Sequence, residues 1–236
     1  MFVYRADSKP FGKGQSSRKE VYLPEGNVRS MAAYRDPETG KSFVYVTQAE
    51  KTVPEQDKKK DRIRYVVDPG QFVNKITVHD GDRGDVLREI EATRPHGVIV
   101  RNGFLFVLQG DGGKWTVSRV VLEKGFPNGN LERVFDVPGT ILPSDLEVDR
   151  SGRFYLSDTK ANKVYQLNAQ AGILHTWGAE EQKPGKYDPN ALMAPSKLAT
   201  WTGQDGKDQV DGNVKHVHVA DVVGEVEGHL QHESGE

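Results

Sequence analysis

Cysteine is missing altogether from the 236 residues. That excludes disulfides and thiolate-held metals, although it fixes no compartment. An excess of one charge is lacking too. The formal net charge is −2, so no basic field exists to hold a polyanion, and nucleic-acid binding has no electrostatic support. No apolar run approaches the ~20 residues of a spanning helix, and the N-terminus carries no secretory-signal pattern. The expectation is a soluble chain without membrane insertion, either cytoplasmic or the mature part or a fragment of a secreted protein. Catalytic motifs are absent as well. No Gly-x-Ser-x-Gly, phosphate-cradling glycine loop or His-Glu-x-x-His occurs, so serine hydrolase, nucleotidase and zincin readings gain no support.

What is present is turn chemistry between short apolar runs. The 25 glycines and 12 prolines suit an all-β chain, and the length suits one domain with a real core. The clearest stretch is 143–177. Four runs lie there: Leu146 to Val148, Phe154 to Ser157, Val164 to Leu167 and Ile173 to Trp177. Ser151-Gly152 divides the first pair and Ala171-Gly172 the last. Strands spaced this closely predict an antiparallel meander.

The unit repeats. Pro95-His96-Gly97-Val98 matches its opening, and Gly103-Phe104-Leu105-Phe106 matches its second strand. Asn74-Lys75-Ile76 matches Asn162-Lys163-Val164. Pro195-Ser196-Lys197-Leu198 opens a further copy, whose second strand is Val217 to Asp221. These residues resemble the NHL repeat, with its proline-led opening strand, Asp-x-x-Gly turn, Asp-Thr, and Asn-basic-hydrophobic segment. The resemblance covers about residues 27–225 and implies an all-β fold, an NHL-like β-propeller of four-stranded antiparallel blades. Four blade signals are expected over 27–92, 95–137, 143–177 and 195–226, with 227–236 a polar tail. That number leaves three closures open: N-terminal strands in 1–25 complete a blade of a small ring, the chain is an incomplete part of a six-bladed ring, or another chain supplies blades. The segment 49–62 is dense in charge and is expected to be a solvated loop.

Repeats turn equivalent positions into rings. The two residues after each opening proline, or after Val28 in the first blade, stand near the channel, and they include Arg29, His96, Asp145 and Lys197. This ring is the candidate ligand site, and its cations suit a small polar or anionic ligand. The competing reading makes each a solvated residue at a blade opening. A second ring holds Gln48, Gln109, Asp158 and Asp221, where turn capping is the expected role.

A metal reading stands beside these. His216 and His218 alternate on one strand, as do Asp145 and Glu147, so each pair shares a face. Zinc takes imidazoles and calcium takes carboxylates. His96, Asp145, Glu147 and His218 are the candidate ligands for Zn2+ or Ca2+. Amidating lyases are propellers similar to this family that use histidine-bound zinc, and Pro95-His96-Gly97-Val98 resembles one of their histidine positions. Those lyases also rely on disulfides, which this chain cannot form. Lactonases of this fold hold one metal over the channel, and Asp145 and Glu147 sit near such places. The resemblance thus implies either a scaffold that binds a protein or polar ligand at one propeller face, or a metal-dependent hydrolase or lyase. No complete catalytic set can be assembled, which favours the scaffold.

Overall fold

A computed structural model describes residues 2–4, 18–20, 26–57, 62–178, 192, 194–201, 216–221 and 228–231. Among them all regular structure is β, and no helix occurs. No helix is therefore long and apolar enough to cross a membrane. A short hairpin comes first, β1 (Phe2–Tyr4) with β2 (Arg18–Glu20). The expected strand at 20–23 otherwise falls outside the described residues.

Three four-stranded meanders follow, each in sequence order. The first blade is β3 (Gly26–Arg35), β4 (Ser42–Asp57), β5 (Arg62–Asp80) and β6 (Val86–Glu91). The second is β7 (Pro95–Arg101), β8 (Phe104–Asp111), β9 (Lys114–Glu123) and β10 (Phe126–Asp136). The third is β11 (Asp145–Val148), β12 (Phe154–Asp158), β13 (Lys163–Leu167) and β14 (Ile173–Trp177). A fourth sheet has three strands, β15 (Pro195–Trp201), β16 (His216–Asp221) and β17 (Gly228–Gln231). Every pairing is antiparallel. The opening strands touch in succession, β3 against β7, β7 against β11, and β11 against β15.

Period-two alternation makes the sheets stack face to face. On β8, Leu105 and Val107 pack with Phe43, Tyr45, Ile76 and Val78 of the first blade. Phe106 and Leu108 point the other way, onto Leu146, Phe154 and Leu156 of the third. Tyr155 and Val164 then meet Leu192, Trp177 and Leu198, the last from the fourth sheet. A middle blade buried on both faces, with first strands together, is the architecture of a propeller. Burial of each large side chain here contributes roughly 1.5–3 kcal/mol.

Two expectations change. Residues 49–57 are not a loop, because β4 continues to Asp57 and pairs with β5 from Thr52↔Val67 to Asp57↔Arg62. Ladder hydrogen bonds satisfy the backbone while Lys51 and Glu55 stay exposed, so charge did not forbid a strand. Residues 227–236 are not wholly a tail either, since Gly228–Gln231 pairs with β16.

Asparagines join the blades. Asn74 and Asn162 both hold left-handed backbone, φ 56° each. Asn74 Oδ1 accepts the Arg94 N–H at 3.0 Å, and Asn162 Oδ1 accepts the Ala194 N–H at 2.8 Å. Each therefore clasps the residue just before the next blade's opening proline. Asn162→Gly keeps the conformation and removes only the clasp, so a loss of about 1 kcal/mol is expected. Urea unfolding measures it, and an unchanged midpoint would reject the clasp.

Candidate functional site

The blade openings deliver their polar residues to one place. Asp145 begins β11 and is 5% exposed. Its Oδ2 accepts the Leu198 N–H at 3.1 Å, and its Oδ1 lies 3.4 Å from Lys197 Nζ. The same ammonium donates to the Arg29 carbonyl at 3.2 Å. Lys197 thus spans from the fourth sheet to the first blade while pairing with the third. Arg29 turns its guanidinium to Glu50, with Nε 2.9 Å from Oε2 and a second contact from Nη2 to Oε1. His96 enters from the second blade, and Thr47 Oγ donates to its carbonyl at 2.9 Å. Its ring meets Trp115 edge-on at 4.7 Å.

Electrostatics agree with this proximity. Burial holds the His96 imidazole down to about 4, assisted by the Arg29 and Lys197 charges and opposed by Glu50. The ring is therefore neutral at pH 7 and able both to donate and to accept. Burial raises the Asp145 carboxyl, against the pull of Lys197 and the Leu198 and Leu146 N–H groups. Glu50 is held low by Arg29, which overcomes its burial. Two cations and two carboxylates compensate one another around a neutral imidazole, so the cluster is close to charge-balanced.

Close backbone approach makes the cluster fit. A Cβ on Gly97 would stand 2.8 Å from Leu146 N and 3.2 Å from Asp145 Oδ1. Glycine at this position lets β7 and β11 approach closely beside the carboxylate.

Glu147 departs from the proposed metal set. Glu147 shares a face with Asp145, but its Oε1 receives Arg101 Nη2 of the second blade at 2.9 Å. His218 lies on β16 opposite Ala199 and His229, and its side chain is outside the described residues. Among the described residues no three His, Asp or Glu side chains group as metal ligands, so His96, Asp145 and Glu147 form no such set. The capping ring is structural where it is described. Asp158 accepts the Leu142 and Ala161 N–H groups at 2.8 Å each, and Gln109 Oε1 accepts the Thr93 N–H at 2.8 Å. Gln48 is buried with Oε1 unpaired, and the Asp221 side chain falls outside the described residues.

Glu50 and Trp115 were not foreseen as site residues. Glu50 sits at a bulge in β4, between the Gln48↔Lys75 and Thr52↔Val67 pairings, and no sequence signal announces that kink. Trp115 lies on β9, two strands from the opening strand that carries His96, so no repeat position links them in the sequence.

No family model matches the chain, and no curated protein matches it. Solved structures of similar shape exist. A nidogen/laminin complex aligns at 13% identity, covering 85% of this chain and 74% of that one, with a TM-score of 0.44. A virginiamycin B lyase from Staphylococcus aureus aligns at 15% identity, covering 91% and 69%, also at 0.44. A protein of unknown function from Bacteroides caccae aligns at 11%, covering 90% and 55%, at 0.45.

Proposed function

We propose that this chain is an NHL-type propeller serving as a binding scaffold, with a polar ligand received where its opening strands meet. The observation that carries the proposal is the Lys197 ammonium, held between the Arg29 carbonyl and the Asp145 carboxylate beside a neutral His96. Four sequence-distant openings supply these groups, so the arrangement depends on the assembled blades. Because the charges are balanced, the ligand is one that carries both donors and acceptors, such as a peptide segment, rather than a simple anion. A site of this kind positions polar groups and offers no nucleophile paired with a base. The NHL reading is supported by the Asn74 and Asn162 clasps. A further blade beyond the first is supported by the exposed row Arg29, Met31, Ala33 and Arg35 on β3, a face against which it would stack.

The test is a titration with glycyl dipeptides, amino acids and neutral sugars, following the Trp115 indole and His96 imidazole by NMR. One class is expected to shift both saturably, and Lys197→Met is expected to weaken that binding about tenfold by removing a charge-assisted contact. Binding that leaves both rings unmoved, or survives Lys197→Met unchanged, would sink the reading.

A further inference from the structure

We infer that Asn128 is a site of spontaneous covalent modification, at which the backbone nitrogen of Gly129 attacks the side-chain amide carbon and converts the residue to aspartate and isoaspartate. The inference stands apart from the channel cluster and does not depend on its ligand.

The chain contains two Asn-Gly pairs, Asn102-Gly103 and Asn128-Gly129. Glycine favours the attack, because no Cβ shields its nitrogen and its backbone rotates freely. The structure around the two pairs differs. Asn102 and Gly103 form the two-residue turn between β7 and β8, both left-handed, at φ 50° and 75°. That is the geometry of a tight hairpin turn. The Arg101↔Phe104 pair closes it. The Gly103 carbonyl accepts the Leu122 N–H at 2.8 Å, and Asn102 Nδ2 donates to the Arg150 carbonyl at 3.2 Å. Swinging the Gly103 nitrogen onto the Asn102 side chain would break this set of bonds.

Asn128-Gly129 lies instead in a bulge of the edge strand β10. The pairs Asn128↔Val121 and Glu132↔Arg119 leave residues 129–131 against Val120 alone, and a bulge of this kind interrupts the ladder. Gly129 has φ +98°, and a Cβ built on it meets nothing within 4 Å. Asn128 is exposed. The backbone just before it is anchored, since Arg88 Nη1 donates to the Pro127 carbonyl at 2.6 Å. Asn128 Nδ2 donates to Glu123 Oε2 at 3.1 Å. That bond holds the nitrogen that leaves and not the carbon that is attacked.

The step balances with water alone. The Gly129 nitrogen gives its proton to hydroxide and bonds to Asn128 Cγ. The Cγ–Nδ2 bond breaks, ammonia departs with a proton from water, and a succinimide ring remains. Water then opens the ring at either carbonyl, giving aspartate or isoaspartate, and nothing is oxidised or reduced. Each product sets a carboxylate where an amide now donates to Glu123. Like charges placed together across a hairpin repel. The turn between them carries the Gly125 carbonyl that accepts the Tyr45 hydroxyl, so the repulsion falls on the contact between the first two blades.

The test incubates the protein at pH 8, native and in guanidinium chloride, and follows both Asn-Gly peptides by mass spectrometry. In the native protein Asn128 is expected to convert at least about tenfold faster than Asn102, whose turn must first open. In denaturant the two share the same dipeptide and no structure, so their rates should converge. Asn128→Asp, which installs the product carboxylate directly, should melt roughly 2–4 °C below the wild type. The site is overturned if native Asn102 converts as fast as Asn128, or if Asn128 converts in denaturant and not in the native protein. An unchanged melting temperature for Asn128→Asp would overturn the link to the contact between blades.

Discussion

Gly125→Ala is expected to lower unfolding free energy by about 3–4 kcal/mol, the sum of backbone strain and overpacking. Gly125 holds φ +82°, where a side chain is strained in itself. A Cβ built there would lie 2.1 Å from Cε2 of Phe43 and 2.4 Å from Cδ2. Phe43 is 2% exposed and meets Phe126 edge-on at 5.1 Å, so its ring has no open space to enter. The Gly125 carbonyl also accepts the buried Tyr45 hydroxyl at 2.7 Å, and displacing the turn would strip that partner. Burial already pushes the Tyr45 phenol well up from its ordinary value, so the neutral hydroxyl is the species that needs the bond. These contacts join the first blade to the second, and the loss should appear as a melting temperature lower by roughly 10 °C. Phe43→Leu in the same chain should recover part of it, because the smaller side chain vacates the clash. Costs that add fully would mean the methyl and the ring do not meet.

The blades were legible because a propeller writes its period twice. Alternation within a strand assigns residues to the two blade faces, and recurrence between strands marks the blades. Leu105 and Phe106 show both, adjacent in sequence and pointing into different interblade cores. The opening positions were legible for the same reason, and Lys197 does touch Asp145 and the Arg29 backbone. What the sequence hid was register. Arg29 and Glu50 are 21 residues apart, and their pairing depends on bulges that shift β3 against β4 and β4 against β5. Neither bulge has a composition of its own. Glu50 was therefore grouped with a charged run that looked solvated, and its pairing with Arg29 was not legible. Glu147 misled in the opposite way. Its shared face with Asp145 was correct, but a shared face does not say which neighbour reaches it, and Arg101 does.

Replacing His96 by phenylalanine is expected to flatten the acid side of the stability profile. In the unfolded chain the imidazole titrates near 6.5, and in the folded protein burial and two cations hold it to about 4. Above pH 6.5 both states are neutral, and the group adds no pH dependence. Between 6.5 and 4 the unfolded chain takes up the proton first, so stability falls as pH falls, and the loss is complete once pH drops below about 4. At full weight that interval corresponds to about 3 kcal/mol. Part of the ring remains in water, so about 2 kcal/mol is the size to expect. Asp145 works in the opposite sense. Its raised folded pKa means the native carboxyl is protonated before the unfolded one, so acidification returns stability above pH 3.8. Asp36, Asp80 and Glu50 have lowered values and lose stability in acid. All of these remain in His96→Phe and cancel to first order when the two proteins are compared at each pH. Phenylalanine keeps an aromatic ring against Trp115, so packing is largely retained at pH 7. The measurement is urea unfolding of both proteins from pH 7 to 4. The variant should gain on the wild type by about 2 kcal/mol across that interval. Parallel profiles would place the imidazole in bulk water, and the neutral donor–acceptor at the centre of the proposed ligand site would be lost with it.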